Sequence, residues 1–89
     1  MDKTTDSQNH KARSMTDNTK KHYDNGILCY LMDNYQEAIA EYTRAIELTP
    51  DYADAYFRRG TVHLKIGNDK EGTADLVKAN SLRKNRNTE

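Results

Sequence analysis

The stretch NYQEAIAEYTRAIELTPDYADAYFRRG, residues 34–60, decides how this chain reads. Ala38, Ile39, Tyr42, Ala45 and Ile46 recur every three or four positions, which is the spacing of one face of an α-helix. Thr49-Pro50 stops that helix, because the residue before a proline disfavours helical geometry. Pro50 then sets up a turn, and Asp51 is placed to cap a second helix. Working outward, the stretch belongs to a longer pattern that occurs twice. Gly26, Asn34, Glu37, Ala40, Ala45 and Leu48 return as Gly60, Asn68, Glu71, Ala74, Ala79 and Leu82, each after 34 residues. A fixed period of this length means one helical hairpin laid against a copy of itself.

The spacing predicts four helices. The first covers about 18–32, with Asp17 as N-cap and Tyr23, Ile27, Tyr30 and Leu31 at helical spacing; Asp33-Asn34 breaks it. The second covers 35–48, and Asn34 followed by Glu37 has the spacing of a capping box. The third covers 52–66 and ends at Gly67-Asn68, where Gly67 is suited to a left-handed C-cap. The fourth covers 69–84; Asn68 and Glu71 repeat the capping arrangement, and Arg83 and Lys84 favour its C-terminal dipole. Gly72 inside it costs roughly 1 kcal/mol relative to alanine and marks it as the weakest of the four. Residues 1–17 and 86–89 are too polar to offset ordering entropy and read as disordered tails. Tails at both ends lead us to expect a complete chain. No segment alternates as a strand would. The expected fold is therefore all-α: two antiparallel helix-turn-helix hairpins of a solenoid, 18–50 and 51–85, forming one domain over 18–85.

Composition narrows the function. The 89 residues carry 14 basic and 14 acidic side chains, for a formal net charge of zero. A nucleic-acid binder normally shows a basic excess, so no nucleic-acid partner is expected. No apolar run approaches a membrane span, and the opening MDKTTDSQNHKARSM lacks the apolar centre of a signal peptide. A single cysteine, Cys29, leaves no internal disulfide and points to a reducing, cytoplasmic setting.

The chain resembles the tetratricopeptide repeat family, whose signature is W-x2-L-G-x2-Y, then A-x3-F, then P. In the first repeat those slots hold His22, Asn25, Gly26 and Cys29, then Ala38, Tyr42 and Pro50. In the second they hold Tyr56, Arg59, Gly60 and His63, then Gly72, Leu76 and Lys84. The second repeat departs from the pattern: Gly72 replaces alanine, Asp69 replaces an aromatic of the Tyr35 type, and Lys84 replaces proline. A terminal repeat facing water has this character.

The resemblance implies a non-catalytic adaptor that holds a peptide or protein in a groove lined by the first helix of each repeat. Carried over, the groove positions of the first repeat are Lys20, Tyr23, Asp24, Ile27, Tyr30 and Leu31. Those of the second are Asp54, Phe57, Arg58, Thr61, Leu64 and Lys65. The alternative is that the tyrosines, Ile27, Leu31 and Phe57 form packing or self-association surface. A clamp for acidic C-terminal tails is not expected, since Tyr23 and Ile27 stand where its Lys and Asn belong. Arg58 is expected to pair with Asp24 or Asp54.

Neither catalysis nor a metal is expected. His22, Cys29 and His63 make at most three scattered ligands, short of a closed zinc site. His22 is also two helical turns from Cys29, roughly 10 Å, too far to act on it as a base. Glu37 and Glu41 read as a solvated helix face, and no glycine-rich phosphate loop or other cofactor motif is present. Two repeats are fewer than the three or more that such stacks normally need. Self-association is therefore expected, with a twofold dimer favoured, and it supplies the alternative function of a structural module filled by another copy.

Overall fold

The computed structural model describes residues 16–87, with side chains described through Asn85. Four helices follow in order: α1 (Asp17–Leu31), α2 (Tyr35–Leu48), α3 (Ala53–Lys65) and α4 (Asp69–Asn87). No strand occurs among the described residues. α1 packs on α2, α3 packs on α4, and α2 packs on α3. The short turns make each pair an antiparallel hairpin, and the α2–α3 contact stacks one hairpin on the other. The expected tail at 1–17 falls outside the described residues for all but its last two positions.

The two hairpin turns are the same structure made from different residues. In the first, the Asn34 N–H donates to the Cys29 carbonyl at 2.8 Å and the Asp33 N–H to the Tyr30 carbonyl at 3.0 Å. In the second, Asn68 donates to the His63 carbonyl at 2.8 Å and Gly67 to the Leu64 carbonyl at 3.2 Å. This is the Schellman pattern, which needs a left-handed residue just past the helix. Gly67 supplies it at φ 90°, and Asp33, one repeat earlier, supplies it at φ 63°. Asp33 is a side-chain-bearing residue in a conformation that suits glycine.

The N-caps differ from the sequence expectation. α1 is capped by Thr16, whose hydroxyl accepts from the Thr19 N–H at 3.1 Å, and Asp17 is already helical. The Thr16 and Thr19 hydroxyls lie 3.0 Å apart, and that of Thr19 lies 2.9 Å from the Thr49 hydroxyl. Thr19 and Thr49 are buried, so this relay satisfies polar groups at the open end of the first hairpin. Asn34 makes no side-chain cap bond to α2, because its backbone is already committed to the α1 turn. Tyr52, rather than Asp51, is the N-cap residue of α3. α4 continues to Asn87, three residues past the expected Lys84.

Two small apolar clusters form the core. Ala38 and Tyr42 of α2 close around Val62 of α3, with Ile27, Cys29 and Ile39 packed against them. Ala45 and Ile46 of α2 meet Ala55 of α3, with Tyr52 and Tyr56 at the margin. Val62 is 2% exposed, so it is the apolar joint between the hairpins.

Glycines set the approach within each hairpin. A Cβ on Gly26 would lie 2.5 Å from the Tyr42 ring. A Cβ on Gly60 would lie 2.9 Å from the Gly72 carbonyl oxygen, and one on Gly72 would lie 2.7 Å from Leu64. Gly72 is therefore not only a local weakness of α4. It lets the α4 backbone reach the α3 backbone at Gly60, in a repeat where Leu76 takes the place of Tyr42.

Candidate interaction face

The first helices of the two hairpins, α1 and α3, border a shallow, open concavity of about 80 Å³. It is lined by Tyr30 from α1, Tyr42 from α2, and Phe57, Arg58, Thr61 and Val62 from α3. Phe57 is 45% exposed at its edge. Tyr42 and Val62 form the floor; they are buried and belong to the joint between hairpins. Burial pushes the Tyr42 phenol up to about 12, which the Arg58 charge opposes only in part.

Arg58 is the one charged side chain in that lining. Its Nε donates to the Tyr23 hydroxyl at 2.6 Å, and its guanidinium lies 5.6 Å from the Tyr23 ring centre. The bond to Tyr23 raises its already high pKa, so it is charged at any working pH. Both carboxylates expected to pair with it are engaged elsewhere. Asp24 accepts from Lys20 Nζ at 3.3 Å, and Asp54 accepts from Arg83 Nη2 at 2.8 Å. Arg83 also covers the Phe57 ring at 5.3 Å.

The other expected groove residues are spread over several roles. Tyr23 and Ile27 are half-buried against the core, and Tyr23 stacks at 4.9 Å from Tyr52 and 5.8 Å from Tyr42. Its ring ties α1 to the start of α3. Tyr30 lines the concavity and packs its other side on Tyr35 at 5.6 Å. Thr61 lines it with its hydroxyl turned back to the Phe57 carbonyl at 2.9 Å. Leu64 lies over Gly72, across its own hairpin. Leu31 is 69% exposed beyond the concavity, and Lys65 is exposed on α3.

The polar ties within each hairpin were not legible as pairs. Arg59 donates to Asp75 twice, Nε to Oδ2 and Nη2 to Oδ1, both at 2.8 Å, and its Nη1 reaches the Thr43 hydroxyl at 3.1 Å. Asp75 stands one repeat beyond Glu41, and Glu41 meets His22 Nδ1 at 2.7 Å. Glu41 is thus a partner across the first hairpin, not part of a solvated face. The 34-residue offset between Glu41 and Asp75 was the available signal for this shared role.

Cys29 packs against the core, and burial, followed by the charges of Glu37 and Glu41, pushes its thiol up, away from nucleophilic thiolate. His63 Nδ1 lies 3.2 Å from the Asn68 amide nitrogen. Among the described residues no group of three or more His, Cys, Asp or Glu is placed to hold a metal ion. No helix among them is long and apolar enough to cross a membrane.

Comparison with known proteins agrees with this architecture. Residues 26–67 match a tetratricopeptide repeat family model. Protein SGT1 homolog of Oryza sativa subsp. japonica is 40% identical over 53 residues, which are 60% of this chain. The matched stretch is 14% of that protein's length. The repeat at 34 residues and the four stacked helices make this an all-α chain of two helical hairpins, similar to tetratricopeptide repeats over the matched segment.

Proposed function

We propose that this chain is a non-catalytic adaptor that binds a segment of another protein against the face between α1 and α3. Tetratricopeptide repeats are protein-interaction modules, which supplies the general setting. One local observation carries the reading. The concavity offers a half-exposed Phe57 beside an Arg58 whose two expected carboxylate partners, Asp24 and Asp54, are bound by Lys20 and Arg83. An exposed aromatic next to a preorganised guanidinium is the composition of a binding hot spot. The proposal includes residues 18–85 as the working unit, a protein or peptide as partner in place of nucleic acid, and a reducing cytoplasmic setting suited to the lone Cys29 thiol.

The test selects peptides on the reduced protein from a random twelve-residue library, then measures their affinity for Phe57→Ala and Arg58→Gln. Losses of about tenfold or more in both variants, with helicity unchanged, support the reading. Peptides that bind both variants as tightly as the parent protein would overturn it.

A further inference from the structure

We infer that the two ends of this stack are complementary, and that copies of the chain associate head to tail, the α1 face of one on the α4 face of the next. This goes beyond the groove, which lies on a different face.

The interface between the hairpins supplies the template. On α3 the residues that meet α2 are Ala55, Arg59 and Val62; on α2 their counterparts are Ile46, Thr43 and Tyr42. One repeat earlier, the α3 set becomes Lys21, Asn25 and Leu28 on α1. One repeat later, the α2 set becomes Asn80, Val77 and Leu76 on α4. Among the described residues no helix packs on either of these outer faces. Leu28 is 56% exposed where its counterpart Val62 is 2% exposed, and Met32, on the same side, is 67% exposed. At the other end Val77 is 62% exposed.

Laying one face on the other in the register of the internal interface sets up three pairs. Leu28 meets Leu76, as Val62 meets Tyr42 inside the chain. Lys21 meets Asn80, where Ala55 meets Ile46 inside. Both members of that apolar pair have become polar together, and an ammonium donates well to an amide oxygen. The exposed Val77 then meets Asn25, in the place of the Thr43–Arg59 contact inside the chain. Such an interface is heterologous, so it does not close at two copies, unlike the twofold dimer expected from the sequence.

Two exposed substitutions test this on the full, reduced chain, with circular dichroism confirming unchanged helicity. Leu28→Glu blocks the α1 face and Val77→Glu blocks the α4 face. In sedimentation over a wide concentration range, the parent protein is expected to rise past the mass of two copies without a plateau. Each variant alone is expected to stay at the mass of one copy. An equimolar mixture is expected to regain a two-copy complex, because each variant keeps the face the other has lost. Val77→Glu associating as the parent does would overturn the inference in favour of an α1–α1 pair. A parent that stays at one copy throughout, or a mixture that does, would overturn it in favour of faces covered by other segments or partners. Peptide binding at Phe57 is read separately, so failure here leaves the groove reading intact.

Discussion

Arg59 and Asp75 face each other across the second hairpin through two parallel hydrogen bonds of 2.8 Å, with side chains only 20% and 10% exposed. Fork-to-fork geometry of this kind aligns two helices as well as joining them. Arg59 also reaches Thr43 of α2 at 3.1 Å, so this side chain of α3 ties its own helix to both α2 and α4. Removing one partner leaves the other charge partly buried and unmatched. Asp75→Ala is expected to cost about 3 kcal/mol, close to what a marginal two-repeat unit has to lose. Urea unfolding checks this. The double variant Arg59→Met with Asp75→Leu is expected to lose clearly less than the sum of the single losses.

Gly72 gives a prediction of opposite sign to helix propensity. In an exposed helix, Gly→Ala gains about 1 kcal/mol. Here the new Cβ would stand 2.9 Å from the Gly60 carbonyl oxygen, a backbone atom that cannot turn aside. Gly72→Ala is expected to destabilise by about 1–3 kcal/mol through overpacking. A thermal midpoint at or above that of the parent would show that the two backbones separate at no cost.

Asp33 gives the reverse case. It holds φ 63° at the position where the second hairpin has Gly67 at φ 90°. Asp33→Gly relieves a left-handed side-chain conformation and is expected to stabilise by about 1 kcal/mol. The loss is a single exposed hydrogen bond from the Tyr35 hydroxyl at 3.0 Å. A small domain should register the gain as a rise of about 4–8 °C in the thermal midpoint.

Tyr42 sets an alkaline limit. Its phenol is pushed by burial from 10.0 to about 12, and burial also raises that of Tyr52. The folded state thus keeps protons that the unfolded chain releases above about pH 10. The stabilisation is complete below pH 10 and is lost as the pH climbs toward 12. Urea midpoints between pH 8 and 11.5 are expected to fall over the upper part of that range. Tyr42→Phe is expected to flatten the fall in part, with the raised Tyr52 phenol supplying what remains.

The turns show where local reading succeeds and where it stops. Gly67 was legible as a left-handed cap because that conformation depends on one residue and its neighbours. Asp33 at the equivalent position was legible only as a break. Thr16 took the cap expected of Asp17 because its hydroxyl joins the Thr19 and Thr49 relay, and Thr49 lies at the far end of α2. Phe57, Arg58, Thr61 and Tyr30, four of the positions implied by the family resemblance, line one concavity. Tyr23 was drawn into the core by Tyr42 and Tyr52, and Leu64 turned toward Gly72, which no periodicity on a single helix reveals.

By itself, then, the sequence determined the four helices, the 34-residue period and the two-hairpin architecture, since these follow from spacing along the chain and from the stops at Asp33-Asn34, Pro50 and Gly67. Tertiary structure alone decided that Arg59 binds Asp75, that Glu41 binds His22, that Arg58 is left facing the concavity, and that Gly72 is needed against Gly60. The physical reason is distance along the chain. Helix formation is settled within a few residues, whereas these contacts join side chains 12 to 35 residues apart and depend on the angle and separation at which whole helices meet.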